Sequence, residues 1–285
     1  CALTGKDKQT LIKKNNIMKK IISLIVVLCL LHVTNLVLAQ GVLKKTMEIK
    51  VAREGGANGA GVVWHPKLKK YYLGMAGNEI YPLLVTDASG KILSDISLEC
   101  MVDLRGFWYN PKVNALQCNG YDSYGWRQYE LDSKGIPTGT KILYDGQNQP
   151  DVNSVGAYDP SSNKVYFLSA ENNMEFSVYL MSTGMFENTL KLHLQNTSSN
   201  ELNDQPGLSD EYNSTTAIYT GLPNKQFLLL NIDKERVEFY NVKGFMTGYK
   251  QFPPNTKLED RFNFSYANGL VWIFNKEARI WTAFK

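Results

Sequence analysis

The chain has 285 residues, 44% of them hydrophobic and 12% aromatic, with 31 lysines and arginines against 27 aspartates and glutamates. This length admits one large core, and a composition without dominant charge excludes an intrinsically disordered chain. The basic excess sits at one end: residues 1–39 hold six lysines and one aspartate, and subtracting them leaves 25 basic and 26 acidic side chains. That remainder has no net positive charge to neutralise phosphates with, so nucleic acid is set aside as a partner.

From the start of the chain, residues 1–17 are polar and unpatterned and are expected to lie upstream of the native start at Met18. Met18-Lys19-Lys20 then opens a basic segment, and Ile21–Leu31 is apolar apart from Ser23. Val37-Leu38-Ala39 places a small residue before Gln40. This order predicts a secretory signal peptide over residues 18–39, cleaved before Gln40. The apolar run is shorter than the ~20 residues that span a bilayer, so no stable membrane span is expected after cleavage. Residues 40–285 remain as one exported domain, secreted or periplasmic in a cell envelope, and expected to be a monomer.

Along that domain a pattern recurs. Gly61-Val62-Val63-Trp64-His65-Pro66 is followed by Asp87-Ala88-Ser89-Gly90; Gly106-Phe107-Trp108-Tyr109-Asn110-Pro111 by Asp132-Ser133-Lys134-Gly135; and Gly156-Ala157-Tyr158-Asp159-Pro160 by Ser182-Thr183-Gly184. The aromatic residue precedes the turn glycine by 26 positions in all three, and by 25 in a looser copy from Tyr219 to Gly244. A fifth copy begins at Phe262-Asn263-Phe264-Ser265-Tyr266. Each unit divides into short runs rich in Val, Tyr, Phe and Leu between Asn, Asp, Gly and Pro turns. Such runs read as antiparallel strands in hairpins. No stretch keeps a 3.6-residue period long enough for an amphipathic helix.

Repeats of this length and strand pattern resemble the blades of a β-propeller. The resemblance covers residues 45–285 and implies an all-β ring of five blades. Six is the alternative, if the longer gap from Tyr158 to Tyr219 contains further strands. The fifth unit lacks an outer strand. Thr46-Met47-Glu48-Ile49-Lys50-Val51, ahead of the first unit, alternates as an outer strand does, so it is expected to complete the fifth blade and close the ring.

The resemblance implies that ligands sit where the innermost strands begin, six residues before each repeat aromatic. Those positions are Asn58, Asp103, Val152, Asn213 and Asp260, with Asn153 beside the third and Arg105 and Arg261 flanking the ring. Amides, carboxylates and guanidinium groups in one ring would hydrogen-bond sugar hydroxyls or hold a hard cation such as calcium. The competing reading is that Asn and Asp shape the turn into each strand. Gln195–Asn213 is the longest interruption, and it carries Glu201, Asp204, Asp210 and Glu211 toward the same rim.

Other chemistries find little support. Beyond residue 39 the histidines are His65 and His193, too few for a histidine-rich zinc centre, and there is no Gly-x-Ser-x-Gly elbow or P-loop. Asp103, Asp151, Glu211 and Asp260 could supply a glycosidase with two carboxylates. Against that, Asn58 stands where the resemblance to arabinanase-like hydrolases calls for an Asp base. Cys100 and Cys118 are either a disulfide or two buried thiols in separate strands. The sequence therefore predicts a five-bladed binding module for a glycan, an envelope protein or a small ligand, needing no resident cofactor. A carbohydrate hydrolase and a structural envelope module are the alternatives.

Overall fold

Hydrophobic runs broken at every hairpin by Asn, Asp or Gly leave the chain no choice but short antiparallel strands, and the computed structural model describes them over residues 41–169, 174–193 and 211–285. The predicted export signal and most of the Gln195–Asn213 interruption lie outside the described residues. Strand β1 (Lys45–Lys50) comes first. Blade one contains β2 (Asn58–His65), β3 (Lys70–Ala76) and β4 (Leu84–Asp87). Blade two contains β5 (Leu104–Asn110), β6 (Ala115–Gly120), β7 (Trp126–Leu131) and β8 (Pro137–Tyr144). Blade three contains β9 (Gly156–Asp159), β10 (Lys164–Ser169), β11 (Glu175–Leu180) and β12 (Phe186–Lys191). Blade four contains β13 (Ile218–Tyr219), β14 (Phe227–Asn231), β15 (Arg236–Tyr240) and β16 (Met246–Gln251). Blade five contains β17 (Phe264–Ala267), β18 (Leu270–Asn275) and β19 (Ile280–Phe284).

The innermost strands form the ring. Strand β2 lies beside β5, β5 beside β9, β9 beside β13, β13 beside β17, and β17 beside β2 again. Because β9 and β13 are direct neighbours, linked by a Val155–Thr216 bridge, no blade fits between units three and four. The protein is a five-bladed β-propeller. As expected, β1 supplies the missing outer strand of blade five: it pairs antiparallel with β19, Ile49 opposite Trp281. The segment before it reaches blade four as well, with Leu43 N–H donating to Gln251 O and Gln251 N–H to Gly41 O.

The repeat's turn glycine joins the third strand of a blade to the fourth. Gly90, Gly135, Gly184 and Gly244 all have φ between 69° and 88°, a left-handed backbone in which a Cβ is strained. In three of these turns one side chain organises the loop: Oδ1 of Asp87, Asp132 or Asn241 accepts two backbone N–H groups just beyond it. In blade one the fourth strand is reduced to two isolated bridges, Thr86–Ile92 and Pro82–Glu99. There Ser94 Oγ accepts the Val85 N–H and Asp95 caps Ser97, so turn chemistry ends the ladder early.

The core lies between blades rather than within them. Trp108 and Trp126 of blade two pack against Tyr158, Val165 and Phe167 of blade three, and equivalent clusters fill the other seams. A Cβ on Gly106 would come within 2.3 Å of Gly156 N, so the second and third inner strands touch this closely only because residue 106 is glycine. Asn119 Oδ1 accepts the N–H of both glycines there, at 2.9 and 3.0 Å.

Cys100 and Cys118 are free, buried thiols, the second of the two readings left open for the pair. Cys118 sits inside β6, and the Cys100 sulfur faces the Met75 backbone and the Pro82 carbonyl. Burial pushes both thiols up to about 12, so neither forms the thiolate needed for oxidation.

Candidate functional site

The face where the inner strands begin holds the predicted rim residues, and it sorts them into three groups. Asp103, Arg105 and Asn153 meet. Arg105 is 5% exposed; its Nη1 donates to Asp103 Oδ1 and to the Leu104 carbonyl, and its Nε donates to Asn153 Oδ1 at 3.2 Å. Asp103 also accepts the Gly77 N–H at 2.8 Å. The guanidinium lies 4.5 Å from the Tyr121 ring centroid and 5.5 Å from that of Phe262. Blades two and five are not neighbours in the ring, yet Arg105 and Phe262 meet. A guanidinium held between two rings gains cation–π attraction in addition to its ion pair. Phe262 and Asn263 both take left-handed backbones, φ 50° and 58°. For a residue as bulky as phenylalanine this is uncommon, and here it turns the ring toward Arg105.

A second group shapes turns, as the competing reading of the rim expects. Asn213 is buried; its Oδ1 accepts the N–H of Thr216, and its Nδ2 donates to the carbonyls of Glu259 and Phe262. Asn58 Oδ1 accepts from Asn263 Nδ2, while Asn263 Oδ1 accepts the Gly59 N–H. These amides stitch blade four to five and blade five to one.

The third group is open to solvent. Asp260 and Arg261 are exposed. Arg261 forms part of the wall of a cleft of about 560 Å³ between blades three and four, with Asp151, Asn153, Ser169, Ser177 and Thr215. The wall is mostly polar. Asp151 Oδ1 accepts the Asn153 N–H, so a single loop presents both side chains, and Asn153 links the cleft to Arg105. The serines and Thr215 escaped the sequence reading because none of them falls at the aligned rim position: Ser169 ends β10, Ser177 lies within β11, and Thr215 precedes β13.

Of the carboxylates considered for hydrolysis, Asp103 is buried, and its Oδ1 is taken up by the Arg105 guanidinium and the Gly77 N–H. Among the described residues no three His, Cys, Asp or Glu side chains gather as a metal site, so the calcium expectation finds no acidic cluster. No helix among them is long and apolar enough to cross a membrane.

At the opposite end of the inner strands, the repeat aromatics form a regular clasp. In three of the five seams the residue after the aromatic touches the aromatic of the next blade. The His65 ring lies 4.7 Å from that of Tyr109, and Asn110 Oδ1 lies 3.2 Å from the Tyr158 hydroxyl. The Tyr219 hydroxyl is hydrogen-bonded to Asp159 and Ser161. Burial raises Tyr158 and Tyr219 to about 12, so both stay neutral donors. His65 Nδ1 accepts the Leu68 N–H, so a structural role accounts for this histidine.

No family model matches the chain and no curated protein matches it. Among solved structures 312 chains resemble it. One is an auxiliary nutrient binding protein from Bacteroides thetaiotaomicron, 12% identical over 82% of this chain, with a TM-score of 0.42. The chain spans 60% of that protein's length. A fold shared so widely carries no function by itself.

Proposed function

We propose that this protein is an exported binding module that takes a small polyhydroxylated ligand, such as the end of a glycan, in the polar cleft between blades three and four. One observation carries the proposal. The cleft joins an exposed guanidinium, a carboxylate and an amide to a row of hydroxyls within about 560 Å³, a volume in the range of small-molecule sites. Sugar hydroxyls donate and accept at once, and this wall offers both: Asp151 accepts, Arg261 donates, and Asn153, the serines and Thr215 do either. Export rests on the Met18–Ala39 signal pattern.

The test is a glycan array, followed by calorimetric titration of any hit. Loss of a hydrogen bond to an ionised group costs about 1.5–3 kcal/mol, roughly ten- to a hundredfold in affinity. Arg261→Ala and Asp151→Ala should each weaken binding by that factor and leave the melting temperature within a degree or two, since both residues are exposed. Unchanged affinity in both variants rules out the cleft. Turnover of a bound glycan, abolished by Asp151→Asn, would favour the hydrolase reading instead.

A further inference from the structure

The chain contains six arginines, and five of them donate to an acceptor of the protein: Arg53, Arg105, Arg127, Arg236 and Arg279. Arg261 is the exception. It is exposed, its guanidinium makes no hydrogen bond or ion pair among the described residues, and it stands in the wall of the polar cleft. Asp260, its chain neighbour, is exposed and outside that wall. The axial cavity, about 330 Å³ between the five inner strands, has no charged residue in its wall. An anion therefore finds a partner in the cleft and not on the axis.

Asn153, in the same wall, is fixed in one orientation. The Nε–H of Arg105 can only donate, and it donates to Asn153 Oδ1 at 3.2 Å. The amide NH₂ is the end left over; it has no acceptor among the described residues and is open to solvent. Arg105 cannot turn away, because Asp103, the Leu104 carbonyl and the Tyr121 ring hold it. The backbone N–H of Asn153 donates to Asp151 Oδ1 at 2.8 Å, which leaves Asp151 Oδ2 as an acceptor. The wall therefore commits a guanidinium and an amide NH₂ to donating, and one carboxylate oxygen to accepting.

We infer that the cleft selects an acidic sugar, a uronic acid, whose carboxylate is held by Arg261 and the Asn153 NH₂ while a ring hydroxyl donates to Asp151. This rests on the glycan reading of the cleft and adds the charge of the ligand. A carboxylate has two oxygens in one plane and meets the guanidinium fork in paired, charge-assisted hydrogen bonds, roughly twice as strong as neutral ones. A neutral sugar offers Arg261 hydroxyls alone, and an amino sugar sets a cation against it. Asp151 needs a donor, which a carboxylate is not, so the two acids take opposite ends of the ligand. Arg105 is a positioning residue: buried itself, it commits the Asn153 amide to donating.

The probes are the methyl glycosides of glucuronate and galacturonate, each paired with its neutral counterpart, methyl glucoside or methyl galactoside, titrated by calorimetry at pH 7.5 and low salt. At least one uronide should bind about tenfold more tightly than its counterpart. Its methyl ester, uncharged and nearly the same shape, should lose that advantage. Arg261→Ala should bring uronide and neutral sugar to the same affinity. Asn153→Asp keeps an acceptor for Arg105 Nε and replaces the NH₂ with a second acceptor, so it should also remove the preference. A purely structural Asn153 would leave the ratio of affinities as it was. If a variant does not fold, the wild-type ratio and the ester decide alone. Uronide and neutral sugar binding alike overturns the inference and leaves the glycan reading standing. So does a preference that survives in Arg261→Ala or in the methyl ester. No binding of either uronide at millimolar concentration overturns the inference as well, and the glycan array then decides the broader reading by itself.

Discussion

The two ends of the inner strands start from the same repeat and reach opposite solutions. Where the strands finish, every unit carries the aromatic, and in three consecutive seams the polar residue after it makes the same kind of contact: His65 with Tyr109, Asn110 with Tyr158, Asp159 with Tyr219. Where the strands begin, Asn, Asp, Val, Asn and Asp occupy the aligned position, and no two make the same contacts. Asn213 bonds backbone across a seam, whereas Asp103 holds a buried guanidinium. Regularity along a propeller therefore marks what every blade needs in order to pack. Departure from regularity marks where one blade has been given a separate task, and Arg105, with no counterpart in the other units, is the clearest departure.

The comparison is tested most severely at Arg105. Its side chain is 7% exposed and that of Asp103 is 12% exposed, so Arg105→Ala strands a carboxylate in a poorly hydrated place. Breaking a buried pair in this way costs about 3–5 kcal/mol. For a domain of this size about 1 kcal/mol corresponds to 2–4 °C, so the melting temperature should fall by roughly 10 °C. Replacing both partners, Asp103→Asn with Arg105→Met, removes the charges together and should recover most of the loss. If Arg105→Ala melts with the wild type, the rim is not held by this pair, and the contrast between the two ends fails.

A smaller effect should come from the repetitive end. Tyr158→Phe keeps the ring that packs on Trp108 and deletes the hydroxyl between Asn110 and Asn163. A neutral hydrogen bond is worth about 1 ± 0.5 kcal/mol, with an added penalty for the buried amide left unpaired. The urea midpoint should shift to match, with the slope of the transition unchanged. Because the clasp repeats in other seams, its loss at one should also be additive with Tyr219→Phe. Strong coupling between the two would show that the clasps act as one network rather than as repeated units.

These contrasts also explain how much was legible in the residues alone. The turn glycines and repeat aromatics are visible because each blade needs a left-handed residue and a clasp at the same place, so one physical demand leaves one periodic mark. Closure by β1 was legible because Met47, Ile49 and Val51 alternate with no local partner. The meeting of Asp103, Arg105 and Asn153 could be aligned but not foreseen, since it depends on Phe262 and Tyr121 arriving from other loops. Phe262 adopts a left-handed backbone that its residue type does not announce. The axial cavity was missed for a different reason: aromatics that recur look like packing, and only three-dimensional closure shows that they also line a space. The cysteines stayed undecided until the ring placed them, because spacing along the chain does not fix which way a thiol faces.

The smallest and most specific effect concerns His65. Burial lowers its pKa from 6.5; bonds to the backbone of His65 and Asn114 act against that shift, and Lys67 adds to it. The native state therefore prefers the neutral ring, while the unfolded chain binds a proton near 6.5. Stability from this group is fully present above pH 6.5. It declines as the pH falls through the interval between 6.5 and the lower native value, where the unfolded state holds the extra proton. One such proton gives at most about 1.4 kcal/mol per pH unit. Asp159 has a lowered pKa as well, from 3.8, so its contribution is lost at more acid pH than the interval just below 6.5 in which His65 begins to act. Urea midpoints measured from pH 7.5 to 5.0 should fall in the wild type, and the slope should flatten in His65→Asn, the residue blade two carries at this position as Asn110. Comparing slopes rather than midpoints keeps the result readable even if the substitution lowers stability at every pH. Equal slopes in the two proteins would mean that His65 is hydrated enough to titrate normally, and the clasp at the first seam would then be looser than its 4.7 Å ring contact implies.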